Sequence, residues 1–108
     1  MVNSRQKGAL YERHVAGLFR NEGYKARRGQ QYSGIQGDAD VVGVPHMHIE
    51  CKAVERLNIY DAIGQARRDA RSGELPVVIH KKNYCEDLVT MRFEDWIRLY
   101  REYELNHD

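Results

Sequence analysis

Apolar positions change period along the chain, and the changes mark the elements. Asn3 or Ser4 can cap a helix running to about Glu22, in which Leu10, His14 or Val15, Leu18 and Phe19 recur at helical spacing. Gly23 is a good stop residue. Residues 24–28 alternate aromatic or small with basic side chains, which predicts a strand with one wet face. Residues 30–38 contain Ser33-Gly34 and Gly37 and read as a loop. Two short strands follow, over 40–44 and 48–53, with Pro45 where a hairpin turn belongs. Asn58 can cap a second helix with Asp61 in its first turn, and Ile59, Ala62, Ile63, Ala66 and Ala70 form a small-residue stripe suited to packing on a sheet. Gly73 and Pro76 end it. Val77-Val78-Ile79 starts a buried strand that runs into His80, Lys81 and Lys82. Residues 83–86 turn the chain, 88–92 form the last strand, and Trp96, Ile97 and Tyr100 share one face of a helix ending near Leu105. The order helix, three strands, helix, two strands, helix predicts an α/β fold with a mixed sheet flanked by helices. With 108 residues, one domain over 1–108 is expected.

Composition narrows the classes. No apolar run is long enough for a membrane-spanning helix, and the polar start at Met1 to Gly8 does not resemble a signal peptide. Cys51 and Cys85 are too few for a disulfide framework or a cysteine metal site, so free thiols in a reducing, cytoplasmic setting are expected. The net charge is only +1, but residues 1–30 hold seven Lys/Arg against two acids, and residues 86–108 hold three against seven. Such asymmetry suits one basic face for an anionic partner, although two solvated helices would produce it too.

Chemistry is concentrated between Asp40 and Lys52. On a strand, His48, Glu50 and Lys52 point one way and Met47, Ile49 and Cys51 the other. The apolar set is the packed face, and the charged set is expected away from it. Two carboxylates and a backbone carbonyl are suitable ligands for a hard divalent cation, and a lysine beside them can orient water and stabilise charge on a phosphate. Asp40, Glu50 and the Cys51 carbonyl are therefore the expected ligands of Mg²⁺ or Mn²⁺, and Lys52 the expected holder of the attacking water. Asp40 opposes Glu50 if residues 43–47 form a five-residue loop. A three-residue loop would pair Asp40 with Lys52, and a two-residue loop would put Asp40 on the wrong face.

Asp40-Val-Val-Gly, then Ile49-Glu50-Cys51-Lys52, after a helix holding Gly8-Ala-Leu-Tyr-Glu12-Arg, resembles the PD-(D/E)XK nuclease superfamily. The likeness is narrower to the small Holliday junction resolvases of archaea and phages. It implies a restriction-endonuclease-like fold, cleavage of four-way or other branched DNA by a homodimer, and a metal-binding role for Glu12. It also implies a Ser33-Gly34 loop near the active site, with Ser33 a candidate DNA contact, and a phage source becomes an expectation. Other DNA contacts are expected at Lys7, Lys25, Arg27, Arg28, Lys81 and Lys82. The chain departs from the pattern at Ala39, where proline is usual, so Asp38 is an alternative ligand or a neighbouring acid. Gln65 could reach the site from the second helix. His48 shares the Glu50 face but is given no ligand role. Trp96 and Tyr100 are expected in the core or at a dimer contact.

Overall fold

The structure is a computed structural model and describes residues 3–30 and 38–107. The expected loop with Ser33 and Gly34 lies outside the described residues. Helix α1 spans Ser4–Asn21, and the Asn3 side chain accepts a hydrogen bond from the Gln6 N–H at 2.8 Å, so Asn3 is the cap. The inward stripe of α1 is Tyr11, Val15 and Ala16, with Phe19 packed beside it. Leu10 and Leu18, expected inward, are 55% and 40% exposed. Leu10 sits one residue off the Tyr11–Val15 line, a rotation of about 100° around the helix, whereas Leu18, seven residues after Tyr11, lies about 20° from it at the edge of the inward stripe.

The remaining elements are β1 (Arg27–Arg28), β2 (Val41–Val42), β3 (Met47–Ala53), α2 (Ile59–Asp69), β4 (Leu75–Lys81), β5 (Leu88–Met91) and α3 (Phe93–Leu105). Their order is the expected one. The strands β1 and β2 are shorter than the pattern predicts because the chain bends sharply around them. Gly43 takes φ 94° and His46 φ 67°, which ends β2 and forms the turn into β3.

The five strands lie in the order β1-β2-β3-β4-β5, with β3 and β4 parallel and all other pairs antiparallel. A parallel pair needs a crossover, which α2 provides. Helix α1 covers one face of the sheet over Val41, Ile49, Cys51, Val77 and Ile79. Helix α2 covers the other, with Ala62 and Ala66 against Val78. The run Val77-Val78-Ile79 is apolar throughout because β4 is buried on both faces. This layered mixed sheet is compatible with a restriction-endonuclease-like fold. The face of β3 bearing His48 and Glu50 is not open, as the sequence suggested, because α2 lies over it. Both residues are buried.

Two glycines give a direct check of this packing. A Cβ on Gly43 would lie 2.1 Å from the Lys25 carbonyl oxygen, at a φ that L-residues avoid. Gly43→Ala should therefore destabilise the fold by about 3 kcal/mol through overpacking and backbone strain. Gly8 lies within α1 with nothing within 4 Å of its would-be Cβ, so Gly8→Ala should stabilise by about 0.5–1 kcal/mol. Urea unfolding of both variants measures the difference, and equal effects would contradict the close approach at Gly43.

Candidate active site

Val41 pairs with Ile49, so one further step along each strand brings Asp40 opposite Glu50, with residues 43–47 as the loop. In this register the two carboxylates are directly opposed, close enough for one ion to touch both. Because β2 stops at Val41, the Cys51 N–H finds no backbone partner on that side. The Asp40 carboxylate accepts it at 2.8 Å. The Cys51 carbonyl leaves the same edge of β3, since both polar groups of a strand residue project to one side. The Gly29 N–H donates to the Asp40 carbonyl at 2.9 Å and holds the backbone there.

Asp40 and Glu50 are hydrogen-bonded side by side. They open onto a cavity of about 440 Å³ whose lining includes Lys7, Glu12, Lys52 and Gln65. Burial and the neighbouring Glu50 charge push the Asp40 carboxyl up to about 7, although the Cys51 N–H works against this. Burial alone would raise Glu50 as well. Its bonds to His48 and Asp40 and the positive charges of His48 and Lys52 outweigh that and hold it below the usual carboxylate range. Lys52 Nζ donates to Gln65 Oε1 at 3.4 Å, so α2 steadies the lysine.

Behind Glu50 lies a group that the sequence does not reveal. His48 Nε2 is 2.8 Å from Glu50 Oε1, and its Nδ1 is 3.8 Å from Glu74 Oε1. Burial lowers the tendency of His48 to protonate, but Glu50, Glu74 and Asp69 together raise it above its ordinary value. Among the described residues, the ligand atoms of His48, Glu50 and Asp69 lie within 4.8 Å of one another and could hold a metal ion. Strand alternation places His48 on the Glu50 face. Asp69, at the end of α2, and Glu74, in the turn before β4, reach it only through the parallel crossover, which leaves no local signal.

The other expected residues divide between two sides of the molecule. Lys7 lines the cavity. Glu12 lines it too, but Arg28 Nε binds its carboxylate at 2.6 Å, so an ion there would compete with that bond. Lys81 ends β4 beside Ala53, at the same end of the sheet as Lys52, and Lys82 follows it, exposed. Arg27 and Asp38 line a separate cavity with Arg71 and Glu74. Asp38 accepts from the Gln30 N–H at 3.1 Å and lines the cavity with Arg27, so it does not line the Asp40–Glu50 cavity. Lys25 is exposed, its carbonyl against the Gly43 turn.

The donor set fits a hard cation. A buried and a half-buried carboxylate side by side, Asp40 pushed towards its protonated form by its partial burial and by the Glu50 charge, form a pair that a divalent ion would relieve. No helix of the structure is long and apolar enough to cross a membrane. No curated protein matches the chain. The profile of the family described as "Phage putative PDDEXK endonuclease" matches residues 3–107. Nucleases of the PD-(D/E)XK type generally use divalent metals and bind DNA. A match over nearly the whole chain, on a fold and a carboxylate pair of this kind, shows that the chain belongs to this phage PD-(D/E)XK endonuclease family.

Proposed function

We propose that the protein is an Mg²⁺- or Mn²⁺-dependent endodeoxyribonuclease acting on branched DNA, in the manner of a Holliday junction resolvase. One nuclease domain spans 1–108, works inside the cell and pairs as a homodimer to cut two strands. The observation that carries the catalytic part is the Asp40–Glu50 pair, Glu50 buried and Asp40 half-buried, opening beside Lys52. The preference for branched DNA rests on the likeness to small resolvases.

Asp40, Glu50 and the Cys51 carbonyl would hold the cation, and Glu12 could join them if it exchanges Arg28 for the ion. The ion would supply charge neutralisation at the scissile phosphate and acidify water near it. Lys52, steadied by Gln65, orients the attacking water and stabilises negative charge as the phosphate becomes five-coordinate. His48 fixes one Glu50 oxygen and leaves the other towards Asp40. Lys7, Lys81 and Lys82 face the phosphates around this cavity, and Ser33 is a further DNA contact on the resolvase likeness. Lys25, Arg27 and Arg28 extend the footprint along the β1 edge.

The substrate is tested by cleavage in Mg²⁺ of a four-way junction, a flap, a linear duplex and a single strand of matched sequence. The junction should be cut at least about ten-fold faster than the duplex, an advantage of about 1.4 kcal/mol in the transition state. Equal rates on junction and duplex would replace this reading with a general nuclease of the same superfamily.

A further inference from the structure

Helix α3 stands apart from the two-layer core. Among the described residues no other element packs broadly against it, and Asp95 is its only buried residue. The molecule is correspondingly long, 50 × 33 × 29 Å. Phe93, Trp96, Tyr100, Tyr103 and His107 run along one face with their rings in sequence. Successive centroids are 6.0, 5.3, 6.4 and 4.1 Å apart. Trp96 is 45% and Tyr100 44% exposed, so of the two placements expected for them, the core or a dimer contact, the core is excluded. The steps between these residues are 3, 4, 3 and 4, the spacing of the apolar seam of a coiled coil.

The positions around the seam indicate what covers it. Ile97 and Leu99 flank it, so the apolar strip widens at its middle. Glu94, Arg98, Arg101 and Glu102 fall on the outward positions, Asp95 is buried off the seam beside Arg92 and Arg98, and only Glu104 lies at the seam's edge. An uncharged, aromatic, heptad-spaced face is complementary to itself. It is a poor nucleic-acid platform, because the helix carries four acids against two arginines. An apolar stripe of this length in water marks an interaction site.

We propose that α3 is the homodimer interface, with the aromatic seam packed against the same seam of a second copy across a two-fold axis. Closed two-fold pairs are the commonest assemblies and bury one patch against itself. This assignment rests on the homodimer reading given above and adds the surface that forms it. It keeps the acidic helix away from DNA and leaves the Asp40–Glu50 cavity of each copy open.

Trp96 is the chain's single tryptophan, so it reports on this surface without any substitution. Sedimentation velocity on the full chain and acrylamide quenching of tryptophan fluorescence are followed together across a dilution series. The dimer should dissociate on dilution while quenching of Trp96 rises at least two-fold over the same concentrations. Trp96→Phe combined with Tyr100→Glu should raise the dimer dissociation constant at least 100-fold with unchanged helical circular dichroism. Tyr60→Ala, on α2 and highly exposed, should leave it unchanged. A native chain that is monomeric at all concentrations would overturn the homodimer reading itself. A dimer whose Trp96 quenching does not change on dissociation, or that survives in the Tyr100→Glu variant, would overturn only the assignment to α3.

Discussion

Glu50→Gln, Asp40→Asn and Lys52→Ala should each lower the single-turnover cleavage rate by about 10²–10³-fold or more, the loss expected when one electrostatic contributor is removed from a transition state. The three act together, so combining them should cost far less than the product of the single losses. The changes preserve the fold for separate reasons. Asn at 40 keeps an oxygen for the Cys51 N–H, and Gln at 50 keeps one for His48. Lys52 is only partly buried, and its removal frees Gln65 to bond water. Asp38→Asn serves as the internal control, because Asp38 bonds the Gln30 N–H and lines the separate cavity with Arg27. Full activity in Asp40→Asn together with its loss in Asp38→Asn would reverse the ligand assignment.

The second large effect concerns stability without metal. Asp40 binds a proton more readily in the folded chain, up to about 7, than an ordinary carboxyl does. The folded state therefore binds more protons than the unfolded state from about pH 4 upwards, and stability falls as pH rises through that window. Asp40→Asn removes the repulsion from Glu50, keeps the Cys51 bond and can donate to Glu50. At neutral pH without metal, Asp40→Asn should melt about 5 °C higher than the native chain, corresponding to about 1 kcal/mol in a domain of this size. The gap should shrink towards pH 4. Millimolar Mg²⁺ should raise the melting temperature of the native chain but not of the variant, because a ligand stabilises only the state that binds it. A destabilised Asn variant, or an equal Mg²⁺ shift in both, would mean that the pair is structural.

Much of this was legible from spacing. The step from Asp40 to Glu50 set the register, and the alternation in 48–53 set which side chains share a face. Asn3 and Asn58 announced two helix starts, and both cap through the side chain. The losses have physical causes. Leu10 looks like a core residue because hydrophobicity was read without the helix angle that Tyr11 and Val15 define, and Leu18, at the edge of that stripe, stays partly exposed. The burial of Glu50 was missed because strand alternation does not show which helix returns over the second face. Glu74 and Asp69 meet His48 for the same reason. The α3 stripe was left between core and dimer contact because a single sequence does not distinguish an apolar face buried within one chain from one buried between two.

The account is tested most directly by following cleavage of a labelled four-way junction by the purified chain, with Mg²⁺ and with excess chelator, beside the Glu50→Gln variant. Cutting by the native chain in Mg²⁺, none in chelator, recovery when the metal is restored, and no cutting by the variant under any condition are the predicted results. Undiminished cutting in chelator, or by Glu50→Gln in Mg²⁺, would contradict a metal-dependent nuclease built on Asp40, Glu50 and Lys52.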